Sequence, residues 1–221
     1  MSSPSPSPLI LGHRGLSSRH LENSMEAFQA ALAAGMAGFE LDVQPTRDGV
    51  CMVLHDEDLA RTAQGTGLLR QMKAAELPPL KNGEPLPRLA DALELPAQLI
   101  NVELKGEPGW QQALATVEAA EALDRVLFSS FEPSEVLQLW AACETARCGF
   151  LWETDEALDL SAEELADLPE ALWFHPPLKA VKARPELWAP YASRLAVWGM
   201  KTPAEAAGLP FQPAVLIVDG L

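Results

Sequence analysis

The chain reads as an α/β protein folded as a (β/α)8 TIM barrel, and three observations predict it. Nine short apolar, β-rich runs occur along its 221 residues, most of them separated by helical patterns, which is the signature of parallel strands joined by crossovers. One pair of runs is joined by only Gln44-Pro45-Thr46-Arg47-Asp48-Gly49, too short for a parallel crossover, so it is read as a hairpin and eight barrel strands remain. Polar and charged groups gather in or at the ends of several runs, where they can converge on one rim.

The first strand is expected over residues 9–13, and the first helix over 24–34, with Asn23 or Ser24 as its N-cap. The second strand, 38–43, extends upward as a hairpin whose return is 50–55. A turn centred on Arg47 and Asp48 pairs residues whose numbers sum to about 95 and sets Glu40 opposite His55. Helices follow over 89–95, 110–123, 134–142, 161–168 and 178–188, with strands over 99–104, 126–131, 147–152, 171–175, 195–200 and 214–218. Val218 is followed by Asp219-Gly220-Leu221, so the barrel is expected to lack its final helix. A bare last strand leaves an apolar stripe that a second copy could cover, and a homodimer is the expectation on that ground. Residues 1–8, a Ser/Pro alternation, are read as a flexible tail and 9–221 as a single domain.

Sixteen Lys plus Arg against 31 Asp plus Glu give a net charge of -15, which argues against nucleic acid and against stable membrane association. Any phosphate site must be made locally positive, by a metal or by Arg14 and Lys105. No run reaches the roughly 20 apolar residues that span a bilayer, and the tail lacks the pattern of a signal peptide, so a cytoplasmic protein is expected. Cys51, Cys143 and Cys148 are odd in number and lack CxxC spacing; they read as structural thiols.

The chemistry lies in Gly12-His13-Arg14-Gly15, Glu40-Leu41-Asp42, His55-Asp56 and Asn101-Val102-Glu103-Leu104-Lys105. Glu40 and Asp42 stand at i and i+2, so a strand turns both to one face, and Glu103 obeys the same alternation. Three inward carboxylates repel one another without a cation, and hard oxygen ligands suit one Mg2+ or Ca2+. The bland alternative is a buried network paired only with Arg14 and Lys105. Two histidines that end converging strands beside three carboxylates suit an acid-base pair, and the whole set is the equipment of metal-assisted phosphodiester cleavage. Arg14 and Lys105 would grip phosphate oxygens. Asp56 and Asn101 are expected to orient His55 and Glu103. Trp198 and Phe131 could wall a pocket, whereas Trp152 and His175 are read as structural.

These residues carry a resemblance to the glycerophosphodiester phosphodiesterase family, relatives of the phosphatidylinositol-specific phospholipase C barrels. His13-Arg14-Gly15 matches the family's H-R-G strand, Leu21-Glu22-Asn23-Ser24-Met25-Glu26-Ala27-Phe28 is similar to its P-E-N-T-x-x-A-F segment, and Glu40 to Val43 matches E-x-D-V. The D-G-x-x-V-x-H-D hairpin stands at Asp48 to Asp56, L-x-R-T at Leu59 to Thr62, and N-x-E-x-K at Asn101 to Lys105. The resemblance is tight over residues 9–135. It departs at Val197-Trp198-Gly199-Met200-Lys201, where the family has V-W-T-x-N, and at Val218-Asp219-Gly220-Leu221, where it has T-D-x-P. It implies divalent-cation-dependent release of sn-glycerol 3-phosphate from glycerophosphodiesters, in glycerophospholipid catabolism. His13 and His55 would be catalytic, and Glu40, Asp42 and Glu103 metal ligands. Arg14, Lys105, Glu22 and Trp198 would contact substrate, with Glu22 near the metal or the glycerol hydroxyls. The alternatives are a lysophospholipase D-type hydrolase and a catalytically silent phosphodiester-binding barrel. Leu68, Leu69 and Met72, interleaved with Arg70, Gln71 and Lys73, offer little docking surface for the former.

Overall fold

Eight parallel strands run side by side in the order β7-β6-β5-β4-β2-β1-β9-β8, and a ninth, β3, pairs antiparallel with β2. They are β1 (Leu9–Gly12), β2 (Gly38–Pro45), β3 (Cys51–Val53), β4 (Leu99–Leu104), β5 (Val126–Ser130), β6 (Arg147–Leu151), β7 (Trp173–His175), β8 (Ala196–Met200) and β9 (Val215–Val218). Bridges Phe174↔Leu195 and Pro177↔Trp198 join β7 to the β8 side and close the ring. This computed structural model describes residues 7–106 and 109–221; most of the expected tail, residues 1–6, lies outside the described residues.

The barrel strands are strands because short Val/Leu/Ile-rich runs are covered on both faces, and β4, β5 and β9 are buried at every position. Alternation sorts their side chains. Leu11, Leu99, Leu127, Ala196, Val215 and Ile217 form one apolar cluster, the plug of the barrel. The alternate residues of the strands face the helices, as where Phe28 of α1 (Met25–Ala33) stacks on Phe39 of β2 at 4.4 Å. Ser24 starts α1, its Oγ accepting the Ala27 N–H at 3.1 Å.

Helices α2 (Leu89–Leu93), α3 (Trp110–Ala119) and α4 (Pro133–Ala142) follow as expected. The expected helix over 178–188 is two, α7 (Leu178–Ala183) and α8 (Pro185–Trp188), because Pro185 cannot continue the helix before it. Between β6 and β7 the chain forms α5 (Thr154–Asp159) before α6 (Ala162–Ala166); a six-residue helix is too short to announce a period. All three cysteines are free thiols.

The hairpin register is corrected by one residue. Val43 pairs Val53, Gln44 pairs Met52 and Pro45 pairs Cys51, so Glu40 is not the cross-strand partner of His55. The loop has three residues, with Gly49 at φ +79, because the Thr46 N–H closes on Val50 C=O at 3.0 Å. Beyond it, residues 57–85 make an excursion with a core of its own around Leu54, Leu59, Leu69 and Leu80. At the other edge, Leu216 and Val218 are only 3 % and 0 % exposed. Ala206, Leu209 and Phe211 pack on the same apolar layer, so the reason given above for a covering second copy does not arise there.

Candidate active site

The register of β2 against β4 assembles an acidic cluster, since Glu40 pairs Asn101 and Asp42 pairs Glu103. Glu40, Asp42 and Glu103 are buried, and each can offer an oxygen such that all three lie within 4.8 Å of one another. Glu40 Oε1 and Asp42 Oδ1 are buried with no hydrogen bond. Burial first, and then the charge of Asp42, push the Glu40 and Glu103 carboxyls above the usual carboxylate range. Lys105 pairs with Glu103 and stands 3.4 Å from Asp42; burial disfavours its charge, but the carboxylates outweigh that and hold it protonated.

Arg14 is held in the left-handed region at φ +53, a conformation its side chain does not favour. The geometry turns its N–H to Glu40 Oε2 at 2.8 Å, while Nη1 donates to Glu22 at 2.8 Å and Nε lies 3.2 Å from Asp42. Gly15 follows at φ +83, where a Cβ would sit 2.6 Å from the Ala27 backbone. Asn23, also left-handed at φ +54, leaves the capping of α1 to Ser24; its Nδ2 donates to Asp42 Oδ2 at 2.8 Å.

His13 and His55 are each anchored through Nδ1 by a carboxylate, His13 by Asp219 at 2.9 Å and His55 by Asp56 at 2.7 Å. His13 Nε2 points to Glu40 at 3.9 Å. Burial lowers the His13 pKa, yet the Asp219 bond and the Glu40 and Asp42 charges outweigh burial and leave it raised. The chain carrying His55 is fixed from below by Gln44, whose Nε2 faces the carbonyls of Leu54, His55 and Asp56 at 2.9, 3.0 and 2.8 Å.

A cavity of about 340 Å³ opens among these groups, lined by both histidines, Arg14, Glu40, Glu103 and Lys105 and walled by Phe131, Leu151, Trp198 and Ile217. A more open cleft of about 560 Å³ meets it at His13 and Arg14. Trp198 donates its indole N–H to the His175 carbonyl at 2.9 Å and sets its ring edge-on to Phe131. Trp152 packs among Phe150, Phe174 and Trp188, a core position as expected.

Asn101 corrects its expected role. Its Nδ2 donates to Leu127 C=O and Ser129 Oγ at 3.1 and 2.7 Å, so it braces β5 and leaves Glu103 to Lys105. His175 is fully buried with neither ring nitrogen partnered, and burial pulls its pKa down to about 3. Sequence reasoning gave no role to Asp219, Gln44 or Arg61. Asp219 follows from closure of the ring: β1 pairs β9 as Gly12↔Val218, which sets the residues one step beyond, His13 and Asp219, side by side. Gln44 continues the alternation of Glu40 and Asp42.

Fold and site together define a (β/α)8 barrel with its polar groups at the C-terminal ends of the strands, where barrel enzymes assemble their chemistry. The profile of the glycerophosphoryl diester phosphodiesterase family matches residues 13–210, and the chain belongs to that family. It is 38 % identical over 143 residues to a glycerophosphodiester phosphodiesterase of Bacillus altitudinis, covering 55 % of this chain and 57 % of that protein. A glycerophosphodiester phosphodiesterase of Caldanaerobacter subterraneus is 31 % identical over 66 % of this chain and 67 % of its own length. The match to the first of these curated relatives thus spans little more than half its length. Among solved structures, the glycerophosphodiester phosphodiesterase of Thermotoga maritima superposes with a TM-score of 0.76 at 28 % identity, over 96 % of this chain and 94 % of that one.

Proposed function

We propose that this protein hydrolyses small glycerophosphodiesters to sn-glycerol 3-phosphate and an alcohol, in glycerophospholipid breakdown. The observation that carries the reading is the pair of histidines at one cavity mouth, each with its Nδ1 tied to its own carboxylate. That tie fixes ring orientation and leaves Nε2 as the working nitrogen of each. One imidazole takes the proton of the attacking oxygen as the other delivers a proton to the departing alcohol oxygen. Arg14 and Lys105 hold the phosphate oxygens and offset the charge that grows on them. The two lobes meeting at His13 and Arg14 suit the two alcohol halves of a diester, and Glu22 and Trp198 lie where they can contact them.

Glu40, Asp42 and Glu103 fit a divalent cation, since buried oxygens without hydrogen bonds and an all-carboxylate donor set call for a hard ion such as Mg2+ or Ca2+. When bound, that ion would supply positive charge to offset the negative charge of the phosphodiester. A small soluble diester is favoured over a membrane lipid because Leu69 is spent on the excursion's own core, with Met72 packed against it. The test is release of glycerol 3-phosphate from a panel of glycerophosphodiesters, lost in chelator and restored by Mg2+ or Ca2+. Full activity in chelator overturns the metal assignment, and no release from any diester overturns the reading.

A further inference from the structure

Arg61 lines neither lobe of the site, yet both catalytic sides end on it. Its Nε and Nη2 donate to the two oxygens of Asp56 at 2.5 and 3.1 Å, and its Nη2 and Nη1 meet the two oxygens of Glu22 at 2.8 Å each. The same Asp56 Oδ1 holds His55 Nδ1, and the same Glu22 Oε1 holds Arg14 Nη1. The result is a continuous chain, His55–Asp56–Arg61–Glu22–Arg14. It joins the return strand of the hairpin to the loop between β1 and α1, two segments that share no sheet ladder. A planar guanidinium is the side chain that can grip two carboxylates in this forked way; a lysine ammonium cannot.

The excursion 57–85 presents Arg61 rigidly. Arg61 ends the 3-10 turn Leu59–Arg61, whose Leu59 is fully buried in the local core. Asp58 caps that turn through the Ala60 N–H at 2.7 Å and ties it to the Gly67 N–H at 3.0 Å. Without Arg61, Asp56 and Glu22 would be two like charges drawn to one spot with the shared cation gone. Both are partly exposed, so they would swing toward water and release His55 and Arg14.

We propose that Arg61 is a positioning residue that sets the His55 imidazole and the Arg14 guanidinium against each other across the cavity mouth, and that the excursion folds in order to present it. This rests on the phosphodiesterase reading above. The test uses the divalent-loaded full chain, with glycerol 3-phosphate release and thermal melting measured together. Arg61→Ala should lower kcat by about tenfold or more, in the range of lost outer-shell partners, while the melt stays a single cooperative transition. Guanidinium ion added at sub-denaturing concentration should restore part of that loss, and an equal concentration of sodium should not. Arg61→Lys should fall between wild type and Arg61→Ala. In an Asp56→Asn background, Arg61→Ala should cost much less than it does alone, because the two act as one unit. Wild-type turnover in Arg61→Ala overturns the proposal. A loss that guanidinium does not relieve and that is undiminished in the Asp56→Asn background also overturns it, since that is the mark of a clip for the excursion alone. If wild type releases no glycerol 3-phosphate, it is the phosphodiesterase reading that fails.

Discussion

The arc of the barrel made by β2 and β4 and the arc made by β6, β7 and β8 obey one backbone scheme but turn opposite chemistries inward. Alternation along β2 and β4 gives Glu40, Asp42, Gln44, Asn101, Glu103 and Lys105. Along β6 to β8 it gives Gly149, Leu151, Trp173, His175, Ala196 and Trp198. The first arc is held by charge on charge, in which three buried acids face the cations Arg14 and Lys105, with Asn23 and His13 beside them. The second is held by apolar contact, with Trp152, Phe174 and Trp188 packed around it. On the proposed function, one arc carries the reactive groups at some expense of stability, while the other carries stability and shapes the wall.

Substitutions should separate the two arcs, and the largest effect is expected at the acidic cluster. Asp42→Asn and Glu103→Gln should abolish divalent-dependent release of glycerol 3-phosphate without lowering the melting temperature of the metal-free protein above neutral pH. The sign follows from burial: Glu103 and Glu40 have raised pKa values, while unfolded carboxylates ionise near pH 4.3. Metal-free stability from these groups thus falls as pH rises from about 4 through the raised values. Added Mg2+ or Ca2+ should accordingly lift the wild-type melting temperature more at alkaline than at acid pH, and a lift that shrinks as pH rises would contradict the cluster's role.

In the opposite arc, Phe174→Ala removes a fully buried ring that meets Tyr191 at 4.9 Å and Arg194 at 4.7 Å. Its expected cost is about 3–5 kcal/mol in denaturant unfolding, with wild-type metal affinity kept in whatever fraction remains folded. A change in metal affinity larger than the change in stability would blur the division between arcs. His13→Ala and His55→Ala should each lower turnover by about a hundredfold with little change in melting, and the double variant should lose far less than the product of the two. Independent, multiplicative losses would mean that the two rings do not work as a pair.

The smallest effect tests His175, a titratable group of the apolar arc with neither ring nitrogen partnered. His175→Leu should leave stability at neutral pH unchanged or higher by about 1 kcal/mol, since a buried unpaired imidazole is replaced by an apolar group. With its pKa near 3 against 6.5 for an unfolded histidine, wild type loses stability as pH falls below 6.5, and the variant should lack that loss. Equal acid sensitivity of the two proteins would show that His175 finds a partner.

The sequence by itself determined the barrel, its eight parallel strands and one hairpin, and the inward acids, because each rests on short-range rules: alternation along a strand, crossover length, and a turn signal at Asp48-Gly49. Where those rules run out, the expectations moved. The hairpin slipped one residue because a three-residue loop with Gly49 at φ +79 closed it in place of a two-residue turn. Asn101 went to β5 because which neighbour an inward amide reaches depends on the stagger between strands. Asp219 met His13, and Arg61 met Asp56 and Glu22, only because closure of the ring and folding of the excursion brought together residues up to 206 positions apart. No local pattern encodes such pairs, since the free energy that forms them is the burial of the whole core and they are placed by it.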